Sequence, residues 1–222
     1  METVSFTVRK NRAKLYNLAY LLAVITIGYN IVEGIVSVFF GLDDETVALF
    51  GFGLDSFVEV ISGIGIWHMI RRLRKNQKNL NPDRFEQQAL RITGSAFYLL
   101  TTGLVIVAVA NLVQRHSPET TFWGIIVSSV SIITMWLLIR YKLMAGRELN
   151  SEAIIADANC TKTCMYLSIV LLLASLGYEF TGIGSLDSIG ALIIAWFSFK
   201  EGREAFQKAA GKMTCSCQGS CK

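Results

Sequence analysis

The sequence predicts an all-α membrane protein with six transmembrane helices and both termini in the cytoplasm. Of the 222 residues, 52% are hydrophobic and 17% are charged, whereas soluble domains usually carry about 25% charged residues. The apolar residues are gathered into six blocks, each near the roughly 20 residues that a helix needs to cross the hydrocarbon core of a bilayer. The basic residues lie almost entirely on one side of these blocks. Together these observations exclude an ordinary globular domain.

The six blocks predict six helices in chain order. The third and fourth blocks carry no charged side chain, as expected of helices that face lipid. The others contain ionisable residues within an otherwise apolar run, which makes those residues candidates for function. The blocks are residues 16–42, 46–70, 93–114, 121–139, 151–175 and 182–199.

The positions of the basic residues orient the helices. Four Lys or Arg residues precede the first helix, seven lie between the second and third, three between the fourth and fifth, and five after the sixth. Because Lys and Arg accumulate in cytoplasmic loops, both termini are predicted to be cytoplasmic. The net charge of +4 then reflects membrane topology, and no nucleic-acid partner is expected. The opposite loops hold one basic residue, Arg115, and five acids: Asp43, Asp44, Glu45, Glu119 and Glu179.

The chain is predicted to form one transmembrane domain, residues 1–208, followed by a cysteine-containing cytoplasmic tail, residues 209–222. The segment after the last helix is too short for an independent core. Residues 71–92 are predicted to form a solvated basic loop. Helices one to three and four to six cross in opposite orientations, which fits an inverted repeat with a substrate site at its interface. The expected location is a bacterial inner membrane, as an integral multi-pass protein.

Two pairs of polar residues are predicted to meet at the middle of the membrane. At 1.5 Å per helical residue, Asp55 and Glu59 lie roughly 13 and 20 Å from the outer surface, and Cys160 and Cys164 equally far from the inner one. Residues four apart share one helix face. Two carboxylates and two thiols at one level suit a four-coordinate metal ion. The sequence therefore predicts a metal site formed by these four residues.

Further ionisable residues are expected around this site. Asp157 shares a face with Cys160, one turn nearer the cytoplasm, and is expected beside the ligands or along the inner access path. Lys162 is costly at this depth without a partner. It is expected either to pair with Glu33, Asp157 or Asp187, or to favour the thiolate form of a neighbouring cysteine. Helix capping or bridging is expected of Asn30 and Asp187.

The C-terminal segment "KMTCSCQGSCK" contains Cys215, Cys217 and Cys221. Cytoplasmic thiols stay reduced, so these three residues are predicted to capture a soft metal ion and pass it to the transmembrane site. The alternative is a disordered tail or a lipidated anchor.

Two stretches resemble a known family. "ETVALFGFGLDSFVEVISG" and "NSEAIIADANCTKTC" resemble the second and fifth transmembrane helices of the cation diffusion facilitator (CDF), or cation efflux, family. Asp55 and Glu59 fall on the ligand pair of the family's second helix, and Cys160 and Cys164 on the His and Asp of its fifth. "YNIVEGIVSVFFG" and "LDSIGALIIAWFSFKEG" resemble its first and sixth helices. The family's cytoplasmic C-terminal domain is expected to be missing.

The resemblance implies a homodimeric secondary transporter that exports divalent metal cations by alternating access in exchange for protons. Metal binding to thiols and carboxylates releases protons, which fits such an exchange. The two thiolates shift the expected preference toward cadmium, mercury, lead or copper(I), with zinc still accommodated. Neither an enzymatic activity nor a cofactor beyond the transported ion is expected. The dimer is expected to form through small-residue faces such as Gly94 to Gly103 or Gly184 to Gly190.

The sequence also allows two other functions. The first is a membrane metal sensor that binds metal without transporting it. The second is a membrane thiol–disulfide oxidoreductase with Cys160 and Cys164 as its redox pair.

Overall fold

The computed structural model describes residues 2–74, 84–114 and 117–210, and this part of the chain is helical apart from short connections. The prediction of six helices is confirmed. They are α1 (Glu2–Asp43), α2 (Val47–Arg74), α3 (Arg84–Gln114), α4 (Phe122–Leu149), α5 (Glu152–Thr181) and α6 (Ser185–Ala209).

Most of the helices are longer than the apolar blocks. The block marks only the part of a helix that lies in hydrocarbon, whereas helical hydrogen bonding continues into water as long as no residue interrupts it. Accordingly, α2 runs to Arg74 and α3 already begins at Arg84. The loop predicted at 71–92 is therefore shorter than expected, and residues 75–83 lie outside the described part of the chain.

Five of the six helices are long and apolar enough to cross a membrane by themselves, and α6 falls short of that measure. Its inner half carries Lys200, Glu201, Arg203, Glu204 and Lys208. Nevertheless, α6 packs along α3 and also contacts α2 and α5. The bundle, rather than lipid, therefore surrounds much of its polar surface.

Left-handed residues end two of the helices. Asn150 (φ 49°) caps α4 and its backbone N–H donates to the carbonyls of Gly146 and Arg147. Gly182 (φ 68°) caps α5, a conformation that glycine adopts without steric cost. These caps make the connections to the next helix short, so that α4 and α5 pack as an antiparallel pair.

The helix neighbours follow the predicted repeat. The pairs α1–α2 and α2–α3 in the first half correspond to α4–α5 and α5–α6 in the second. Three pairs join equivalent helices of the two halves: α1–α4, α2–α5 and α3–α6. These contacts are compatible with two inverted halves, but the α2–α6 contact has no comparable α3–α5 counterpart among the described residues, so the repeat stays a prediction.

Most of the glycines predicted to form a dimer face pack inside the protomer instead. A Cβ atom on Gly94 would lie 2.8 Å from the Phe206 ring, and one on Gly190 would lie 2.6 Å from the Cβ of Ala174. Gly184 is similarly close to Ser117, whereas a Cβ on Gly103 would meet nothing within 4 Å. These small residues let helices of one chain approach each other closely, so the prediction for Gly94, Gly184 and Gly190 is wrong.

The described residues form three apolar clusters. The larger cluster fills the outer half of the bundle and includes Phe52, Leu104 and Ile194. A smaller one joins the inner parts of α1, α2, α4 and α5 around Ile70 and Ile154. The third cluster packs Cys164 against Leu22, Met135 and Leu138, so the predicted ligands border apolar side chains as well as polar ones.

Candidate metal site

One residue of each predicted pair meets the other across α2 and α5, namely Glu59 and Cys164. The thiol of Cys164 donates a hydrogen bond to Oε1 of Glu59, which directly joins the two helices. Asp55 and Cys164 are buried, at 2% and 7% exposure, whereas Glu59 and Cys160 are partly exposed to a cavity. Neither Cys160 nor Cys164 forms a disulfide bond with another described residue.

Side chains from α1 and α6 form hydrogen bonds with other polar atoms of the predicted ligands. The Ser198 hydroxyl donates to Oδ1 of Asp55 at 2.9 Å. The Asn30 amide donates to Oε2 of Glu59, also at 2.9 Å. The Lys208 ammonium lies 3.6 Å from the sulfur of Cys160 and donates to it. The sequence did not indicate Ser198 or Lys208, because neither shares a helix with the four predicted ligands.

The four residues do not yet form a coordination sphere in this conformation. Within residues 2–74, 84–114 and 117–210, no three His, Cys, Asp or Glu side chains are placed so that they could hold a metal ion. Glu59 and Cys164 touch, while Asp55 and Cys160 are each bound to a residue of α6.

A small cavity of about 60 Å³ adjoins the site, enough for about two water molecules. Its walls include Glu59, Cys160 and Cys164, and it extends past Leu90 and Lys208, which lie near the inner ends of α3 and α6. On the outer side, the larger apolar cluster separates the site from the exterior. The cavity therefore approaches the site from the side that the basic residues predict to be cytoplasmic.

Two contacts close the outer half of the bundle. The Asp187 carboxylate accepts hydrogen bonds from the backbone N–H groups of Val47 and Ala48, at 2.9 and 3.2 Å, and so caps the first turn of α2 from α6. Phe40 and Trp123 stack with their ring centroids 3.8 Å apart and join α1 to α4. The expectation that Asp187 caps or bridges helices is confirmed.

Asp157 forms a buried ion pair that the sequence did not predict. The Lys142 ammonium lies 3.0 Å from both carboxylate oxygens of Asp157 and donates to the Thr161 hydroxyl at 3.0 Å. Lys142 is only 1% exposed. From the sequence, Lys142 is one of the three basic residues predicted to lie between the fourth and fifth helices. In the structure α4 continues to Leu149, so Lys142 lies on this helix and inside the bundle.

The acids considered as partners of Lys162 are engaged elsewhere. Glu33 accepts hydrogen bonds from Tyr29 at 2.9 Å and from Ser56 at 3.1 Å. Asp157 pairs with Lys142, and Asp187 caps α2. Glu33 thus contacts α2 through Ser56, the residue next to Asp55. The effect of Lys162 on a neighbouring thiol stays a prediction. Cys215, Cys217 and Cys221 lie outside the described residues.

The Lys142–Asp157 pair leads to a prediction about stability. Replacing Lys142 with Met leaves a buried carboxylate without its counter-charge, and breaking a buried pair in this way costs about 3–5 kcal/mol. We expect a clearly lower Tm for purified Lys142→Met, and recovery of most of the loss in Lys142→Met/Asp157→Leu. Lys200→Met, an exposed lysine on α6, serves as the control. A wild-type Tm for Lys142→Met would contradict the structural role of the pair.

The geometry agrees with comparisons to known proteins. Residues 19–213 match the cation efflux transmembrane domain. An uncharacterized transporter, MJ0449 of Methanocaldococcus jannaschii, is 27% identical over 175 residues, which cover 78% of this chain and 62% of that protein. The manganese efflux system protein MneP of Bacillus subtilis is 26% identical over 187 residues, 80% of this chain and 63% of MneP.

The chain thus spans less than two thirds of the length of these relatives. Its six helices, its apolar segments and the family match identify an integral multi-pass membrane protein. Because the family match extends over most of the sequence, the chain belongs to the cation efflux family.

Proposed function

We propose that the chain exports divalent transition-metal ions by alternating access, with Asp55, Glu59, Cys160 and Cys164 as the ligands. The observation that carries this proposal is the direct contact between Glu59 and Cys164 beside a cavity on the cytoplasmic side. An ion that enters from the cytoplasm would reach these groups first. Membership in the cation efflux family supports the same function.

The ligand atoms favour a borderline or soft ion. Thiolates prefer zinc and softer metals, whereas carboxylates also suit harder ions such as manganese. Two of each give a mixed site that accommodates zinc and cadmium. MneP is named as a manganese efflux protein, and the carboxylates of Asp55 and Glu59 leave room for a harder substrate here as well.

Proton exchange follows from the same groups. A thiol must lose its proton to bind a metal ion, so loading the site from the cytoplasm releases protons. The contact between the Cys164 thiol and Glu59 gives a leaving proton an immediate acceptor. Reprotonation of the site after it opens outward would release the ion and return the carrier to its starting state.

Alternating access requires the closed outer half to open. The Asp187 cap on α2 and the Phe40–Trp123 stack are the contacts that would break. The inner ends of α3 and α6, which flank the cavity, would close at the same time. Such rocking of one set of helices against another around a fixed site is the usual behaviour of inverted-repeat transporters.

A homodimer is part of the proposal. The outward face of α3 presents Ile92, Leu99, Ile106 and Val113, four exposed apolar residues at intervals of seven. This spacing matches the seam of a coiled-coil pair, and Gly103 on the same helix leaves space for close approach. We therefore place the dimer contact along α3.

The dimer can be tested in native-lipid nanodiscs. We expect a particle with two chains, which should dissociate in Leu99→Lys/Ile106→Lys because buried lysines oppose each other at the seam. Phe180→Lys, a substitution of an exposed residue on α5, is the control and should leave the dimer intact. A wild-type particle with a single chain would contradict the assembly.

Flux in proteoliposomes tests the proposed function itself. Vesicles loaded with a metal-sensitive dye and a pH indicator would receive zinc, cadmium or manganese from outside. A transporter moves metal and protons in opposite directions. A sensor would bind metal without flux, and a thiol–disulfide oxidoreductase would show no metal flux at all. Either of these results would overturn the proposal.

A further inference from the structure

Asn30 of α1 has an unused oxygen beside the proposed ligands. Its side chain is 2% exposed, and its amide nitrogen donates to Oε2 of Glu59. Its carbonyl oxygen, Oδ1, has no hydrogen-bond partner among the described residues. Asn30 lines the same cavity as Glu59, Cys160 and Cys164.

The orientation of this amide follows from its neighbour. A carboxylate oxygen accepts hydrogen bonds, so the nitrogen of Asn30 must face Glu59 and the carbonyl must point elsewhere. A buried acceptor without a partner is unfavourable by the desolvation free energy of the group, and such atoms are rare in native proteins. The unpaired Oδ1 atom therefore indicates that a water molecule or an ion binds to it in the working protein.

The lack of a hydrogen-bond partner is not common to all the polar side chains of the cavity wall. Thr26 lies one turn away on the same helix and lines the same cavity, but its hydroxyl is bound to the carbonyl of Leu22 at 2.9 Å. Thr93 of α3 is the other residue of this wall with an unpartnered buried atom, its Oγ1. Two residues with an unpaired buried oxygen thus line a cavity with room for an ion and its water.

We propose that Oδ1 of Asn30 is a direct ligand of the transported ion, next to Glu59, with Thr93 binding a water molecule on that ion. This inference rests on the proposed function. An amide carbonyl is a hard ligand, and it raises the number of oxygen ligands from two to three. Ions that take more than four ligands and prefer oxygen, such as Mn²⁺, would therefore gain most from Asn30.

The assignment also links α1 to the transport cycle. The same side chain binds Glu59 through its nitrogen and the ion through its oxygen, so loading the site would tie α1 to α2 and α5. The structure shows the first of these links, the hydrogen bond from the Asn30 nitrogen to Glu59.

Three variants of the full chain test this inference in metal-binding titrations with Mn²⁺ and Cd²⁺. In Asn30→Leu both polar atoms are lost, and we expect Mn²⁺ affinity to fall about tenfold or more, as for other groups around metal sites, with a smaller loss for Cd²⁺. In Asn30→Asp an oxygen is kept but the donor is lost, and we expect Mn²⁺ affinity to stay at or above that of the wild type. Thr26→Val should match the wild type for both ions.

Cobalt absorption provides a readout of the coordination itself. Four-coordinate Co²⁺ absorbs visible light more strongly than Co²⁺ with a larger number of ligands. We expect Asn30→Leu to raise the absorbance of bound Co²⁺, which loss of a mere positioning contact would not do.

Two results would overturn the inference alone. One is unchanged Mn²⁺ affinity in Asn30→Leu. The other is an equal loss in Asn30→Asp and Asn30→Leu, which would show that Asn30 acts only by donating to Glu59. Wild-type protein that binds none of these ions would instead overturn the proposed function and this inference with it.

Discussion

Alanine at any one of Asp55, Glu59, Cys160 or Cys164 should abolish metal flux or reduce it at least about 100-fold while the protein stays folded. In the proposed site each of these residues supplies a ligand, and even groups that only support metal ligands change affinity by about 10–100-fold. The measurement is initial zinc and cadmium flux into proteoliposomes, with particle size and Tm as checks of folding.

Two controls separate site effects from general damage. Asp43→Ala removes an exposed acid at the outer end of α1 and should leave flux unchanged. A variant with serine at Cys215, Cys217 and Cys221 keeps the transmembrane thiols and tests the tail separately. Full flux in any two of the four alanine variants would remove the proposed site.

Exchanging the thiols for the ligands of the resembling family should change selectivity. In Cys160→His/Cys164→Asp, two soft ligands are replaced by a borderline and a hard one. Cadmium affinity should fall much more than zinc affinity, because imidazole and carboxylate serve zinc well. We expect the cadmium-to-zinc flux ratio to fall about tenfold or more, the scale of a change of about 1.4 kcal/mol.

The same exchange should alter the response to pH. Free thiols have an ordinary pKa of about 8.5, against about 6.5 for imidazole and about 3.9 for the Asp carboxyl. Metal must displace protons from the thiols over a wider pH range, so the double variant should keep its zinc at lower pH than the wild type. Competitive zinc and cadmium uptake at several pH values measures both effects. A cadmium-to-zinc ratio equal to that of the wild type would mean that neither thiol binds the ion.

The sequence was sufficient for the six helices and for the contact between Glu59 and Cys164. Six apolar runs marked six helices, because a bilayer requires such runs. Spacing of four residues at matching depths placed Glu59 near Cys164, and the structure joins them. Both inferences need only the geometry of a single helix.

Partners from other helices could not be predicted in the same way. Ser198 and Lys208 contact Asp55 and Cys160 from α6, and which faces meet depends on how the whole bundle packs. Lys142 lies beyond the apolar block of the fourth helix, so the sequence predicts that it is a loop residue. In the structure α4 extends past this block and includes it. The prediction that Gly94, Gly184 and Gly190 form a dimer face was wrong for a related reason. A small residue indicates close packing, but not whether the neighbour belongs to the same chain.

X-ray absorption spectroscopy of the zinc-loaded protein tests the central claim most directly. The sample would be the variant with serine at Cys215, Cys217 and Cys221, so that Cys160 and Cys164 are the only thiolates that can bind the zinc. We expect about two sulfur atoms at about 2.3 Å and oxygen ligands at about 2.0–2.2 Å. One sulfur should disappear in Cys160→Ala or Cys164→Ala. A spectrum without sulfur, or one that neither substitution changes, would contradict the assignment of the ion to these helices.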